Sequence, residues 1–121
     1  MEESNSVRIE ERGSVAILDI SGDVTSRSEI TLRSSYERLD PEKIKGILLK
    51  FERSTYFNSE GLKVLILIFA EARKRAQKIA VAGLSGHFKK IFGMVGITKF
   101  AKIYDDEAQA VKDLESLAGE G

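Results

Sequence analysis

The sequence predicts one α/β domain built on a mixed, mostly parallel sheet, with an N-terminal hairpin and four helices. Three observations carry that class. Short β-branched apolar runs alternate with segments whose apolar residues recur at helical spacing, as in βα units joined by right-handed crossovers. Two strand-like runs stand together at the start, with Gly13 between them. The 121 residues contain a single proline, Pro41, and no stretch that reads as a linker or repeat. The domain is expected to span 1–121, with its core at about 7–117.

Val7 to Glu11 alternates weakly and Ser14 to Ile20 is largely apolar, so the two read as a hairpin that Gly22-Asp23 closes. Ser26 and Glu29 have the spacing of a capping box, which opens a helix over Arg27 to Leu39 with Leu32, Tyr36 and Leu39 inward. Asp40-Pro41 stops it, and Gly46 to Phe51 reads as a covered strand. In Leu62 to Lys78 strand-like content competes with helical spacing. Leu62, Leu65, Ile66, Phe69, Ala72 and Ala76 follow the helical rule, and Arg73, Lys74, Arg75 and Lys78 suit a helix C-terminus, so helix is expected. Ile79 to Ala82 is the next strand. Ser85 caps a helix burying Phe88, Ile91, Phe92 and Val95, and Gly96 ends it. Ala101 to Tyr104 is the last strand. Asp105 or Asp106 caps a final helix through Leu117, with Ala108, Val111 and Leu114 inward and Ala118 to Gly121 as a tail.

Composition removes several classes of function. The 42 % hydrophobic and 31 % charged balance is that of a folded, water-soluble chain. The absence of cysteine excludes disulfide scaffolds, Cys-type zinc sites and thiol nucleophiles, and the lone His87 excludes a His-rich metal site. Neither G-x-x-x-x-G-K-[ST] nor G-x-G-x-x-G is present and no strong nucleophile–base pair is visible, so neither a cofactor nor an enzyme is expected. The longest apolar run, Val64 to Ala70, is seven residues, against about 20 for a membrane span. With no secretory signal visible, a cytoplasmic protein is expected. The zero net charge argues against direct nucleic-acid binding, yet it is a sum of unlike parts. Residues 63–102 carry +8, residues 1–62 carry −3 and residues 103–121 carry −5. The positive stretch reads as helix-dipole complement and solvated faces, or as a surface for an acidic protein partner, with nucleic acid or anionic lipid as further alternatives.

Asn58-Ser59-Glu60-Gly61 is the most informative stretch, because it opens the most apolar helix directly after a strand. A helix N-terminus suits an anion, or a phosphate placed on Ser59, and equally suits Asn58 or Ser59 as a plain N-cap. Both readings stand together, since a capping serine is also open to modification. Gly22-Asp23-Val24-Thr25 leaves the second strand, where parallel topology places it beside the same edge.

At this point the sequence resembles the STAS domain, and within it the bacterial anti-sigma-factor antagonists. The likeness rests on the element order, the serine-glycine helix start after the third strand, the segment H-F-K-K-I-F-G-M-V-G-I-T-K-F, and Ile103-Tyr104-Asp105-Asp106 at the last strand. In that family the second helix starts Asp-Ser-Ser-Gly, and a kinase that is also the anti-sigma factor phosphorylates the first serine. Here Asn58 falls on the Asp, Ser59 on the phosphorylated Ser, Glu60 on the second Ser and Gly61 on the Gly. The family's Gly-Glu-(Ile/Leu)-Asp exit from strand two falls on Gly22, Asp23, Val24 and Thr25. The resemblance implies a non-catalytic module that binds an anti-sigma factor of the serine-kinase type through Asp23, Thr25, Asn58, Ser59, Glu60, Gly61 and Lys63, with phosphorylation at Ser59. The departures at Asn58, Glu60 and Thr25 keep a second reading open: an unphosphorylated scaffold or accessory subunit of a signalling or transport complex. A homodimer is compatible with the sequence, which does not decide it.

Overall fold

Gly13 sits at φ +61°, a left-handed conformation that glycine adopts without a Cβ penalty, and it turns the first strand back on itself. The structure, a computed structural model, describes residues 5–120, with side-chain surroundings through Leu117. Strand β1 (Ser6–Arg12) pairs antiparallel with β2 (Val15–Ser21), placing Val7 opposite Ile20 and Ile9 opposite Leu18. Strands β3 (Gly46–Lys50), β4 (Lys78–Ala82) and β5 (Lys102–Tyr104) then add in parallel, giving the order β1-β2-β3-β4-β5. The expected mixed sheet is what forms.

Each parallel step is bridged by a helix: α1 (Glu29–Glu37), α2 (Ser59–Lys74) and α3 (Gly86–Met94). These three cover one face of the sheet, and α4 (Glu107–Glu120) covers the other. Ile47 and Leu49 of β3 enter the three-helix layer, whereas Leu48 packs under Ala110, Val111 and Leu114 of α4. That explains why this strand is apolar at every one of these positions. The core needs no staple.

Several local expectations are corrected. The capping box uses Thr25 and Ser28, not Ser26 and Glu29: the Thr25 N–H donates to Ser28 Oγ at 2.9 Å and the Arg27 N–H to Thr25 Oγ1 at 3.1 Å. A short 3-10 turn, Ser26–Ser28, therefore precedes α1, and Glu29 pairs with Arg33 instead. Helix α2 starts at Ser59 and stops at Lys74, before Ala76. Ala76 takes φ +57°, while the Gln77 N–H bonds the Ala72 carbonyl and the Ala76 N–H the Arg73 carbonyl, a Schellman end with alanine in glycine's usual place. The buried stripe of α2 is accordingly Gly61, Val64, Leu65, Ile68, Phe69 and Ala72. Val95 is exposed because α3 has already ended, and Ile97 fills the core in its stead. Ala110, not Ala108, is the inward alanine of α4, whose helix continues through Glu120 where a tail was expected.

Candidate partner-docking site

The loops leaving β2 and β3 are stitched into one surface by their backbones. The Val24 N–H donates to the Tyr56 carbonyl at 2.8 Å, and the Asn58 N–H to the Val24 carbonyl at 3.2 Å. Asp23 reaches across as well, its Oδ1 accepting the Tyr56 N–H at 3.0 Å. Val24 and Phe57 are buried beneath this seam, where Phe57 meets Phe51, Phe88 and Phe92 edge-on. Aromatic packing below and hydrogen bonds above hold the seam in one shape.

Helix α2 begins where the seam ends. Asn58 is extended (φ −101°, ψ 179°), and its Oδ1 accepts the Gly61 N–H at 2.8 Å, so the expected cap forms. An added Cβ on Gly61 would lie 1.9 Å from the Val24 carbonyl oxygen, so only glycine lets helix and loop approach this closely. Ser59 and Glu60 stand exposed on the first turn. Among the described residues the Ser59 hydroxyl makes no hydrogen bond, while Glu60 meets the exposed Lys63 at 3.6 Å. The sequence-derived residues thus fall into two groups. Asp23, Thr25, Asn58 and Gly61 shape the backbone, and Ser59, Glu60 and Lys63 present side chains outward.

One contributor has no local signature. The buried Asn5 directs Nδ2 at the carbonyls of Ser21, Gly22 and Asp23, at 3.0, 3.2 and 3.1 Å. It thereby clamps the loop that carries Asp23, from 16 to 18 residues away in the chain. Tyr56 was also unmarked: it is exposed above the seam with its ring against Phe88.

Part of the positive stretch gathers elsewhere, where Arg73, Lys78 and Lys99 line one cavity. Arg73, Lys74 and Arg75 sit at the far end of α2, about 20 Å from Ser59 by helix rise, where they complement the dipole. Arg75 pairs with Glu71 at 3.1 Å, and Lys89 pairs with Asp105. That ammonium holds the Asp105 carboxyl below its ordinary range. His87 lies exposed, its ring edge-on to Phe88. Among the described residues no group of three or more His, Cys, Asp or Glu could hold a metal ion, and no helix is long and apolar enough to cross a membrane.

The family model for the STAS domain matches residues 6–110. The chain belongs to the STAS domain family. An "Anti-sigma F factor antagonist" of Paenibacillus polymyxa is 23 % identical over 113 residues, covering 93 % of this chain and 97 % of that protein. Among solved structures, an anti-sigma factor antagonist from Mycobacterium paratuberculosis superposes with a TM-score of 0.78 at 15 % identity, covering 93 % of this chain and 95 % of its own. The antagonist SpoIIAA in its unphosphorylated form gives 0.73 at 15 % identity, over 92 % of this chain and 97 % of that one. The structural likenesses establish the fold, and the sequence relative makes this an antagonist-like STAS domain. These relatives are named for regulation, not for catalysis.

Proposed function

We propose that this STAS domain docks a kinase-type anti-sigma factor on the seam surface and that phosphorylation of Ser59 ends the contact. One observation carries the reading. Ser59 is exposed in the first turn of α2, its hydroxyl unengaged, on a backbone held by the Asn58 cap and the Val24 contact. A kinase can reach that oxygen without unfolding the helix. A phosphate there adds about −1.5 to −2 charges to a helix turn whose own charges, Glu60 and Lys63, offset each other. The partner would then have to desolvate or repel that added charge.

Incubation with the cognate kinase and ATP, followed by site mapping, tests the switch. One phosphate on Ser59, its absence in Ser59→Ala, and weaker partner binding after modification are the expected results. Phosphate at another residue, with Ser59→Ala modified like the wild type, would overturn it. Asn58→Asp keeps the cap and restores an acid beside the serine. It is expected to leave the fold intact and raise the rate of phosphorylation.

The fixed negative charge of Glu60 beside Ser59 favours a second reading, a scaffold that binds its partner constitutively. A stable complex from which phosphate incorporation is absent would establish that reading instead.

A further inference from the structure

Strand β1 forms one edge of the sheet, and among the described residues its outer side pairs with nothing. It is seven residues long, and its two apolar members, Val7 and Ile9, are only partly buried against the core. Helix α4 packs across β2 to β5, and Arg8, Glu10 and Arg12 on the α4 side of β1 are exposed. A long edge of this kind is a template for another strand.

The sequence of this edge selects which strand fits. We propose that β1 pairs antiparallel with β1 of a second copy, about a two-fold axis at Ile9, to give a continuous ten-stranded sheet. A two-fold perpendicular to the sheet keeps each residue on its own face, so only registers that pair odd with odd and even with even are open. With Ile9 opposite Ile9 of the other copy, Arg8 stands opposite Glu10, and the symmetry repeats that pair. Shifting the axis to Arg8 sets Arg8 against Arg8. Shifting it to Glu10 sets Glu10 against Glu10 and Arg8 against Arg12. Like charges directly opposite each other oppose pairing, so of these three the Ile9 register is the complementary one.

The charges already present fit this arrangement. Arg8 meets Asp19 of β2 at 3.0 Å, and Glu10 meets Arg12 at 2.7 Å. Pairing would insert Arg8 between two carboxylates and Glu10 between two guanidinium groups, so signs alternate across the junction. On the helix side, Ile9 would cover Ile9. One strand pair is a small interface, so association is concentration-dependent.

Sedimentation equilibrium across a concentration series tests the proposal independently of Ser59 chemistry. The wild-type mass should rise from 13.4 kDa toward twice that value. Arg8→Glu alone and Glu10→Arg alone should remain monomeric, with an unchanged circular dichroism spectrum. An equimolar mixture of the two, one isotopically heavy, should form a mixed dimer in native mass spectrometry, because both cross-strand pairs then regain opposite charges. A contact between Val7 of one copy and Glu11 of the other, read by isotope-filtered NMR, would fix the register. A wild type that stays monomeric into the millimolar range would overturn the proposal. So would single variants that dimerise like the wild type, or a mixture that does not associate.

Discussion

Gly61 and Gly93 are both helical glycines with ordinary negative φ, so helix propensity alone predicts that alanine stabilises each by up to about 1 kcal/mol. The structure assigns them opposite signs. A Cβ on Gly61 would lie 1.9 Å from the Val24 carbonyl oxygen, 2.5 Å from its carbon and 3.0 Å from the Thr25 nitrogen. All three are backbone atoms, and Val24 is tied to Tyr56 and Asn58 by two backbone hydrogen bonds. Relief therefore requires the helix start or the whole seam to shift. Overpacking of this kind costs about 1–3 kcal/mol, and weakening two hydrogen bonds adds about 1 kcal/mol. Net of propensity, Gly61→Ala should destabilise by about 1–3 kcal/mol, a fall of about 3–12 °C in Tm for a chain of this size. A Cβ on Gly93 meets nothing within 4 Å, so Gly93→Ala should stabilise by about 0.5–1 kcal/mol. Urea unfolding of both variants with a common m-value measures the contrast. A Gly61→Ala protein as stable as Gly93→Ala would refute the close-approach argument.

A buried relay joins α1 to the α2–β4 turn: the Tyr36 hydroxyl donates to Gln77 Oε1 at 2.6 Å, and Gln77 Nε2 donates to the Ile44 carbonyl at 3.0 Å. Gln77→Leu strands two buried groups and should cost about 2–4 kcal/mol, Tyr36→Phe about 1–2 kcal/mol, and the double variant less than their sum in urea titrations. Tyr104 is pushed up to about 12, first by burial and then by donating to the Asp113 carboxylate at 2.7 Å. Because the folded value lies above the unfolded one of about 10, this stability is complete below pH ~10 and is lost as pH rises toward ~12. Asp113→Asn should lower the Tyr104 midpoint, followed by phenolate absorbance, yet leave it above 10 because burial remains.

What could be read in the chain and what could not divide along physical lines. Ile47, Leu48 and Leu49 announce a strand covered on at least one face, and Asn58 announces a helix start, because each signal lies within a few residues. The stop of α2 was hidden because Ala76 occupies a left-handed position where glycine is the usual marker. The cap before α1 was displaced by one residue because Thr25, Ser26 and Ser28 all carry hydroxyls able to serve. Asn5, and Asp23 in its reach to the Tyr56 N–H, act over long stretches of chain, with no periodicity to reveal them.

That division bears on how the proposed docking surface would work. Asp23 and Asn58 align with the family's acidic positions, yet each has a side-chain oxygen engaged by backbone within the seam. Replacing either would change loop shape as well as charge, so loss of binding in such variants would not identify a contact. Ser59, Glu60 and Lys63 carry no such backbone duty, and Glu60 and Lys63 sum to zero. Modification of Ser59 therefore adds nearly two negative charges at a turn whose own two side-chain charges cancel. Removing Glu60 would expose Lys63 and shift the starting point by one unit. Glu60→Gln should therefore strengthen docking of an acidic partner and weaken that of a basic one, without altering the helix start.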